Sequence, residues 1–156
     1  MMAGPVVERA VFPVEGGSVQ LSDDDARQRF GGARVASLAT MSPEGQPHIV
    51  PITFAVDGDV IYTAVDFKPK STPRLRRLSN IHANPRVAVL ADHYDEDWPA
   101  LWWVRADGMA AILDSPAEMT APTELLTGRY PQYRDNPPAG PVIAIRVAAW
   151  TGWSAT

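Results

Sequence analysis

The sequence predicts a mainly β domain, a six-stranded antiparallel barrel with short flanking helices. Six runs between Arg34 and Trp150 alternate in polarity or are rich in β-branched residues, with turn chemistry between them. One of those turns, Asp57-Gly58-Asp59, is a strong hairpin signal. Helical periodicity is confined to two or three short stretches.

Residues 1–20 show little periodicity and carry Gly4-Pro5, Pro13 and Gly16-Gly17; they read as an N-terminal arm that orders only against a partner subunit, ahead of a single domain over 21–156. Ser22, followed by Asp23, Asp24 and Asp25, has the pattern of a helix N-cap with acids in the first turn, and Gly31-Gly32 ends that helix. Arg34–Met41 alternates, with Val35, Ser37 and Ala39 on one side and Ala36, Leu38 and Thr40 on the other. Turn residues 42–47 lead to a second strand, His48–Val56, and the hairpin returns through Val60–Val65. Thr72-Pro73 predicts a helix start with Leu75, Leu78 and Ile81 as the buried stripe, stopped by Asn84-Pro85. Arg86–Leu90 reads as a strand, followed by the acidic loop Asp92–Asp97. Leu101–Leu113 reads as a long strand broken or bulged near Gly108. Ser115-Pro116 opens a further helix to about Thr127. A proline-rich loop and a final strand from Val142 to about Trp150 complete the chain.

The chain's 156 residues suffice for one core, and its net charge of −4 argues against a general nucleic-acid binder. With no cysteine, thiolate metal sites, disulfides and thiol nucleophiles are excluded. No apolar run approaches the roughly 18 residues of a membrane span, and the start lacks a signal peptide's pattern, so the expectation is a cytoplasmic protein without a membrane partner.

The cations are unevenly placed. The two lysines, Lys68 and Lys70, are followed closely by Arg74, Arg76, Arg77 and Arg86, so six of the 14 cations fall in one stretch. No acid occurs between Asp66 and Asp92. A strand end followed by a helix start offers unpaired N–H groups and a positive dipole end, joined here by the hydroxyls of Ser71 and Thr72. On a helical wheel Arg76, Arg77 and Asn80 share the polar side, opposite Leu75 and Leu78. The stretch reads either as a solvated basic face or as a site for a multiply charged anion; the concentration of lysine and the missing acids favour the site.

Other constellations are weaker. The acidic loop with His93 resembles a metal site only in composition, because His48 and His82 lie elsewhere in the sequence, and no metal is expected. Adjacent Trp102 and Trp103 must point to opposite faces of their strand, as interface packing or as a lid over a partner's ligand. Ser37 lacks the context of a hydrolase triad, and no glycine-rich phosphate loop is present.

Taken in order, RVASLAT at 34–40, GQPHIVPI at 45–52, the Asp57-Gly58-Asp59 turn, Tyr62-Thr63, the basic helix and NPRV at 84–87 resemble the pyridoxamine 5′-phosphate oxidase-like split β-barrel superfamily. Lys68-Pro69-Lys70, HYDEDW at 93–98, LWWVRADG at 101–108, YPQY at 130–133 and WTGW at 150–153 resemble its branch of probable F420-dependent enzymes. The resemblance covers roughly residues 22–156. It implies a split barrel of the FMN-binding type and a homodimer with two cofactor sites at the subunit interface. It also implies that Arg76 and Arg77 take the cofactor's phosphate, and that His48, Val50, Pro51 and Ile52 face the heterocycle. Thr63 and Ala64 would then lie beside the ribityl chain. The C-terminal arginine and histidine segment of the oxidase proper has no match here, so vitamin B6 oxidation is not expected.

FMN carries one phosphate, for which Arg76 and Arg77 suffice. Coenzyme F420 carries a phosphodiester, a carboxylate and a glutamate tail, which gives Lys68, Lys70 and Arg74 a role beside Ser71 and Thr72. The expectation is therefore an F420-dependent reductase acting on a small conjugated or planar acceptor, with Trp102 and Trp103 contributing to the cofactor site. Its alternatives are an FMN flavoprotein and a cofactor-binding protein without turnover. No catalytic residue is assigned; the cofactor carries the chemistry.

Overall fold

The computed structural model describes residues 19–65 and 75–156. Its strands are β1 (Val19–Gln20), β2 (Ala36–Met41), β3 (Pro47–Ile52), β4 (Ala55–Asp57), β5 (Val60–Ala64), β6 (Arg86–His93), β7 (Trp102–Leu113) and β8 (Val142–Ser154). The helices are α1 (Asp23–Gly32), α2 (Arg76–Ala83), α3 (Pro116–Arg129) and the four-residue α4 (Gln132–Asp135), with one 3-10 turn at Trp98–Ala100.

All strands join one antiparallel sheet in the order β3-β2-β6-β7-β8-β5-β4, with β1 added beside β8. The two ends of that path, β3 and β4, are linked by Thr53 and Phe54 alone. The sheet is thus bent round until its ends meet at a covalent corner, without a ladder between them. Among the described residues this makes eight strands instead of the six expected of the split barrel, through two corrections. The single strand expected over His48–Val56 divides, because it pairs with β2 up to Ile52↔Ala36 and then with β5 from Ala55↔Tyr62. No straight strand reaches both partners. Phe54 turns fully inward at the break, with its ring centroid 4.8 Å from that of Phe30.

The second correction concerns the arm. Val19 and Gln20 pair with Ser154 and Trp153 of the same chain, so its last two residues belong to the sheet; residues 1–18 lie outside the described residues. Smaller differences follow the same logic of pairing and capping. Leu75 is extended, so α2 starts at Arg76, and the expected start at Thr72-Pro73 lies outside the described residues. The strand β8 runs to Ser154, beyond Trp150, because β7 and β1 both supply partners there.

Leu38, Ile61, Val89, Val104, Ala106, Ile143 and Ile145 fill the inside of the curl, and α1 closes it with Ala26 and Phe30, all fully buried. Each large apolar side chain placed there contributes about 1.5–3 kcal/mol. The α1 helix begins as expected, with the Ser22 hydroxyl accepting from the Asp25 N–H at 3.2 Å. Gly108 sits at the expected bulge, where the β7–β8 register shifts; a Cβ there would lie 2.4 Å from the Arg146 carbonyl oxygen. Gly58 has φ +59° and makes the tight β4–β5 turn. Next to it, Asp59 accepts from the Trp150 indole at 3.0 Å and pairs with Arg27 at 3.4 Å, tying that turn to α1 and β8. No described helix is long and apolar enough to cross a membrane.

Candidate functional site

The N-termini of the helices differ in kind. Ser22 caps α1 and Ser115 caps α3, and each has acid in its first turn. The α2 helix has neither a side-chain cap nor an acid there, and starts with Arg76 and Arg77. Its first N–H groups and its dipole therefore add to two cations instead of being offset by carboxylates. Arg76 is exposed, whereas Arg77 is half-buried, and burial pushes its guanidinium below the usual arginine range. None of the ion pairs among the described residues includes Arg77. A partly desolvated cation without a counter-ion is costly to hold, and an incoming anion removes that cost.

Asn80 follows one helical turn after Arg77 on the same face. Its side chain is 2% exposed and donates to the Thr40 hydroxyl at 2.9 Å. This corrects the helical-wheel expectation, which put Asn80 on the solvent side. The signal that could have found it was Thr40, which alternates with Ala36 and Leu38 on the side facing the core. Across the β2–β3 ladder Thr40 sits opposite His48, so the two share a face. His48 Nδ1 is buried and has no hydrogen-bond partner. An orphaned ring nitrogen next to an uncompensated cation's helix is the feature a polar, anionic ligand would satisfy.

The same register orders the rest of β3. Val50 opposite Leu38 and Ile52 opposite Ala36 face inward with His48, while Pro51, opposite Ser37, faces outward and is exposed. On β5, Thr63 is 3% exposed and pairs with Ile143. Ala64 packs on the other side, against the cluster of Ala55, Leu126 and Tyr130. Lys68, Lys70, Ser71, Thr72 and Arg74 lie outside the described residues, in the segment between β5 and α2.

Trp102 and Trp103 are not brought to α2 within one chain. The residue after α2 and Asn84, Pro85, accepts from the Ala110 N–H, and Trp102 lies eight positions earlier on β7, about 25 Å along the strand. The two indoles occupy opposite faces as expected. Trp102 packs toward the core, with the Arg29 guanidinium 5.7 Å from its ring centre and His93 stacked at 6.5 Å. Trp103 packs with Leu101, Trp153 and Ala155, and its indole N–H is buried without a partner. In the acidic loop, His93 lies 3.7 Å from Asp95, and no group of three metal-ligating side chains occurs among the described residues.

At β3, β2 and α2 the fold thus brings near one another an orphaned ring nitrogen at His48 and a half-buried cation at Arg77, groups that a phosphate-bearing, flavin-type cofactor would satisfy. Solved structures share the fold. A FAD-binding protein from Mesorhizobium loti superposes with a TM-score of 0.70 at 22% identity, covering 89% of this chain and 99% of its own. A conserved hypothetical protein from Mycobacterium tuberculosis gives 0.70 at 23% identity, covering 86% of each chain. A FAD-binding protein from Mycobacterium smegmatis gives 0.61 at 17% identity, covering 86% of this chain and 97% of its own. No curated protein matches the sequence. The family model for pyridoxamine 5′-phosphate oxidase matches residues 22–154, nearly the whole described sheet, and the chain belongs to that family.

Proposed function

We propose that this chain binds coenzyme F420 and acts as a reductase of small conjugated or planar acceptors. The observation that supports a phosphate-bearing cofactor is Arg77, half-buried at an uncapped helix start and without an acidic partner among the described residues; the surplus of Lys68, Lys70 and Arg74 in the sequence is what favours F420 over FMN. When bound, the deazaflavin supplies hydride transfer at its ring. The chain's own residues bind and orient it. Arg77 and the first N–H groups of α2 hold the phosphodiester, Arg76 adds long-range attraction, and Lys68, Lys70 and Arg74 meet the acidic tail. His48 hydrogen-bonds the ring's polar edge, and Val50, half-buried on the same face, keeps water from it. No described side chain is set up as a general acid, so the proton comes from solvent.

A titration followed by cofactor fluorescence tests this. Oxidised F420 is expected to bind at micromolar concentration or tighter and more strongly than FMN, with about tenfold weakening in a Lys68→Ala, Lys70→Ala double variant from loss of charge-assisted contacts. Tight binding of FMN or FAD, unchanged in that variant, would establish the second reading, a flavoprotein, which the solved FAD-binding proteins of this fold favour.

The working unit in this reading is a homodimer. The outward face of β3, β2, β6 and β7 carries Ile49 (65% exposed), Met41, Leu90 and Met109 together with Pro47 and Pro51, beside Val35 (58% exposed). No helix of the described chain covers that face, and a second copy would bury it and bring its own outward Trp103 within reach of the neighbour's ligand, whereas Trp102 packs toward its own core. An Ile49→Asp, Leu90→Asp variant is expected to sediment at half the wild-type mass; a wild-type protein that is already monomeric at micromolar concentration would overturn the dimer.

A further inference from the structure

The corner where the sheet's two ends meet is fastened from outside by two phenols. The Tyr130 hydroxyl lies 3.1 Å from the Phe54 N–H, which donates to it, and 3.0 Å from the carbonyl oxygens of Phe54 and Arg34. Tyr130 is 8% exposed and does for the corner what a ladder does elsewhere, supplying partners to backbone groups that neither β2 nor β5 reaches. Three residues on, in α4, the Tyr133 hydroxyl shares a hydrogen bond of 2.8 Å with the Thr53 side chain. The two rings meet edge to face at 5.8 Å.

Tyr133 differs from Tyr130 in what it joins. Thr53 directly follows Pro51 and Ile52, the end of the strand read above as facing the heterocycle. The Tyr133 ring packs against the cluster of Ala55, Leu126 and Tyr130, on which Ala64 of β5 also rests. One side chain thus joins Thr53, in the break of the sheet, to the cluster beside β4 and α3. Its carrier is slight: α4 has four residues and no buried side chain. The bond adds little to the core, but it fixes Thr53, and so the end of β3, against that cluster.

We propose that Tyr133, acting through the Thr53 hydroxyl, is a positioning residue that holds the end of β3 in place for the cofactor ring read above as facing His48 and Val50. This rests on the cofactor reading above. Tyr133 does not touch the ring; it limits the motion of the strand end that adjoins it. Because α3 and α4 carry it, a partner or substrate that shifts α4 would alter cofactor binding without entering the site.

The test uses full-length Tyr133→Phe, Thr53→Val, the double variant and Thr53→Ser. In unliganded protein, amide exchange at Ile52, Thr53 and Ala55 is expected to accelerate in Tyr133→Phe and Thr53→Val and to stay at the wild-type rate in Thr53→Ser, which keeps the hydroxyl. In the titration, Tyr133→Phe and Thr53→Val are each expected to weaken F420 about fivefold and to change the emission of the bound cofactor, the loss of one neutral hydrogen bond. The double variant is expected to be no worse than either single one, the signature of a shared interaction. Exchange that is unchanged in Tyr133→Phe overturns the proposal whatever the cofactor. So does wild-type binding that the variant retains with unaltered affinity and emission. If the wild type binds neither F420, FMN nor FAD, the cofactor reading itself falls and the positioning role falls with it.

Discussion

Replacing Arg129 with alanine is expected to lower the unfolding free energy by about 3 kcal/mol, through lost charge-assisted hydrogen bonds and exposed partners. The reason lies at the C-terminus of α1. The last carbonyls of a helix have no intrahelical donor, and Gly31-Gly32 offers no left-handed cap here, since neither has a positive φ. Arg129 takes that role from 98 and 96 residues away, donating through its two terminal nitrogens to the carbonyls of Gly31 and Ala33. Its guanidinium lies 4.8 Å from the centre of the Phe54 ring and 5.6 Å from that of Tyr130. Arg34 returns the link, donating to the Arg129 carbonyl at 3.4 Å and lying over Tyr130. A cation at the negative end of α1 is also favoured by the helix dipole. Urea unfolding of the variant should therefore show a lower midpoint, and its thermal midpoint should fall by roughly 10 °C. Arg129→Lys should recover less than half of the loss, because an ammonium cannot present two parallel donors to two carbonyls. An alanine variant within about 0.5 kcal/mol of wild type would reduce Arg129 to an ordinary surface cation.

Neither this tie nor the corner it supports is legible in the sequence, and the reason is physical. Polarity and propensity report on local backbone, so Ser22, Ser115, Asp57-Gly58-Asp59 and the bulge at Gly108 are readable where they stand. Residues 48–56 form one uninterrupted β-type run. That its first half pairs with β2 and its second with β5 depends on strands far along the chain, and the phenols that mark the break, Tyr130 and Tyr133, come some 75 to 80 positions later. The candidate site divides in the same way. The excess of cations before and within α2 is visible in composition, as is the absence of acids. Which of those cations loses its water is not, because Arg76 and Arg77 are chemically identical and separated only by the helical rotation that turns Arg77 and Asn80 toward Thr40. An asparagine next to arginines reads as solvated until its partner is known.

That distinction between neighbouring arginines leads to an expected result with opposite signs in two measurements. Arg77→Gln is expected to weaken F420 by about 30-fold, from the loss of one or two charge-assisted hydrogen bonds to a phosphate oxygen. The same substitution is expected to leave the unliganded protein as stable as wild type or more so, because it removes a half-buried guanidinium that pairs with no acid among the described residues. Arg76→Gln should weaken binding by only about threefold, since its exposed charge acts through screened solvent. Raising the salt concentration should therefore erode most of the Arg76 contribution and less of that from Arg77. Thermal unfolding without ligand and the fluorescence titration, run on the same three proteins, read both quantities. A loss of stability in Arg77→Gln with unchanged affinity would make Arg77 a structural cation, held in place by α2 and the sheet. Stability retained and affinity lost is the pattern of a residue whose placement is costly to the fold and is kept for the ligand.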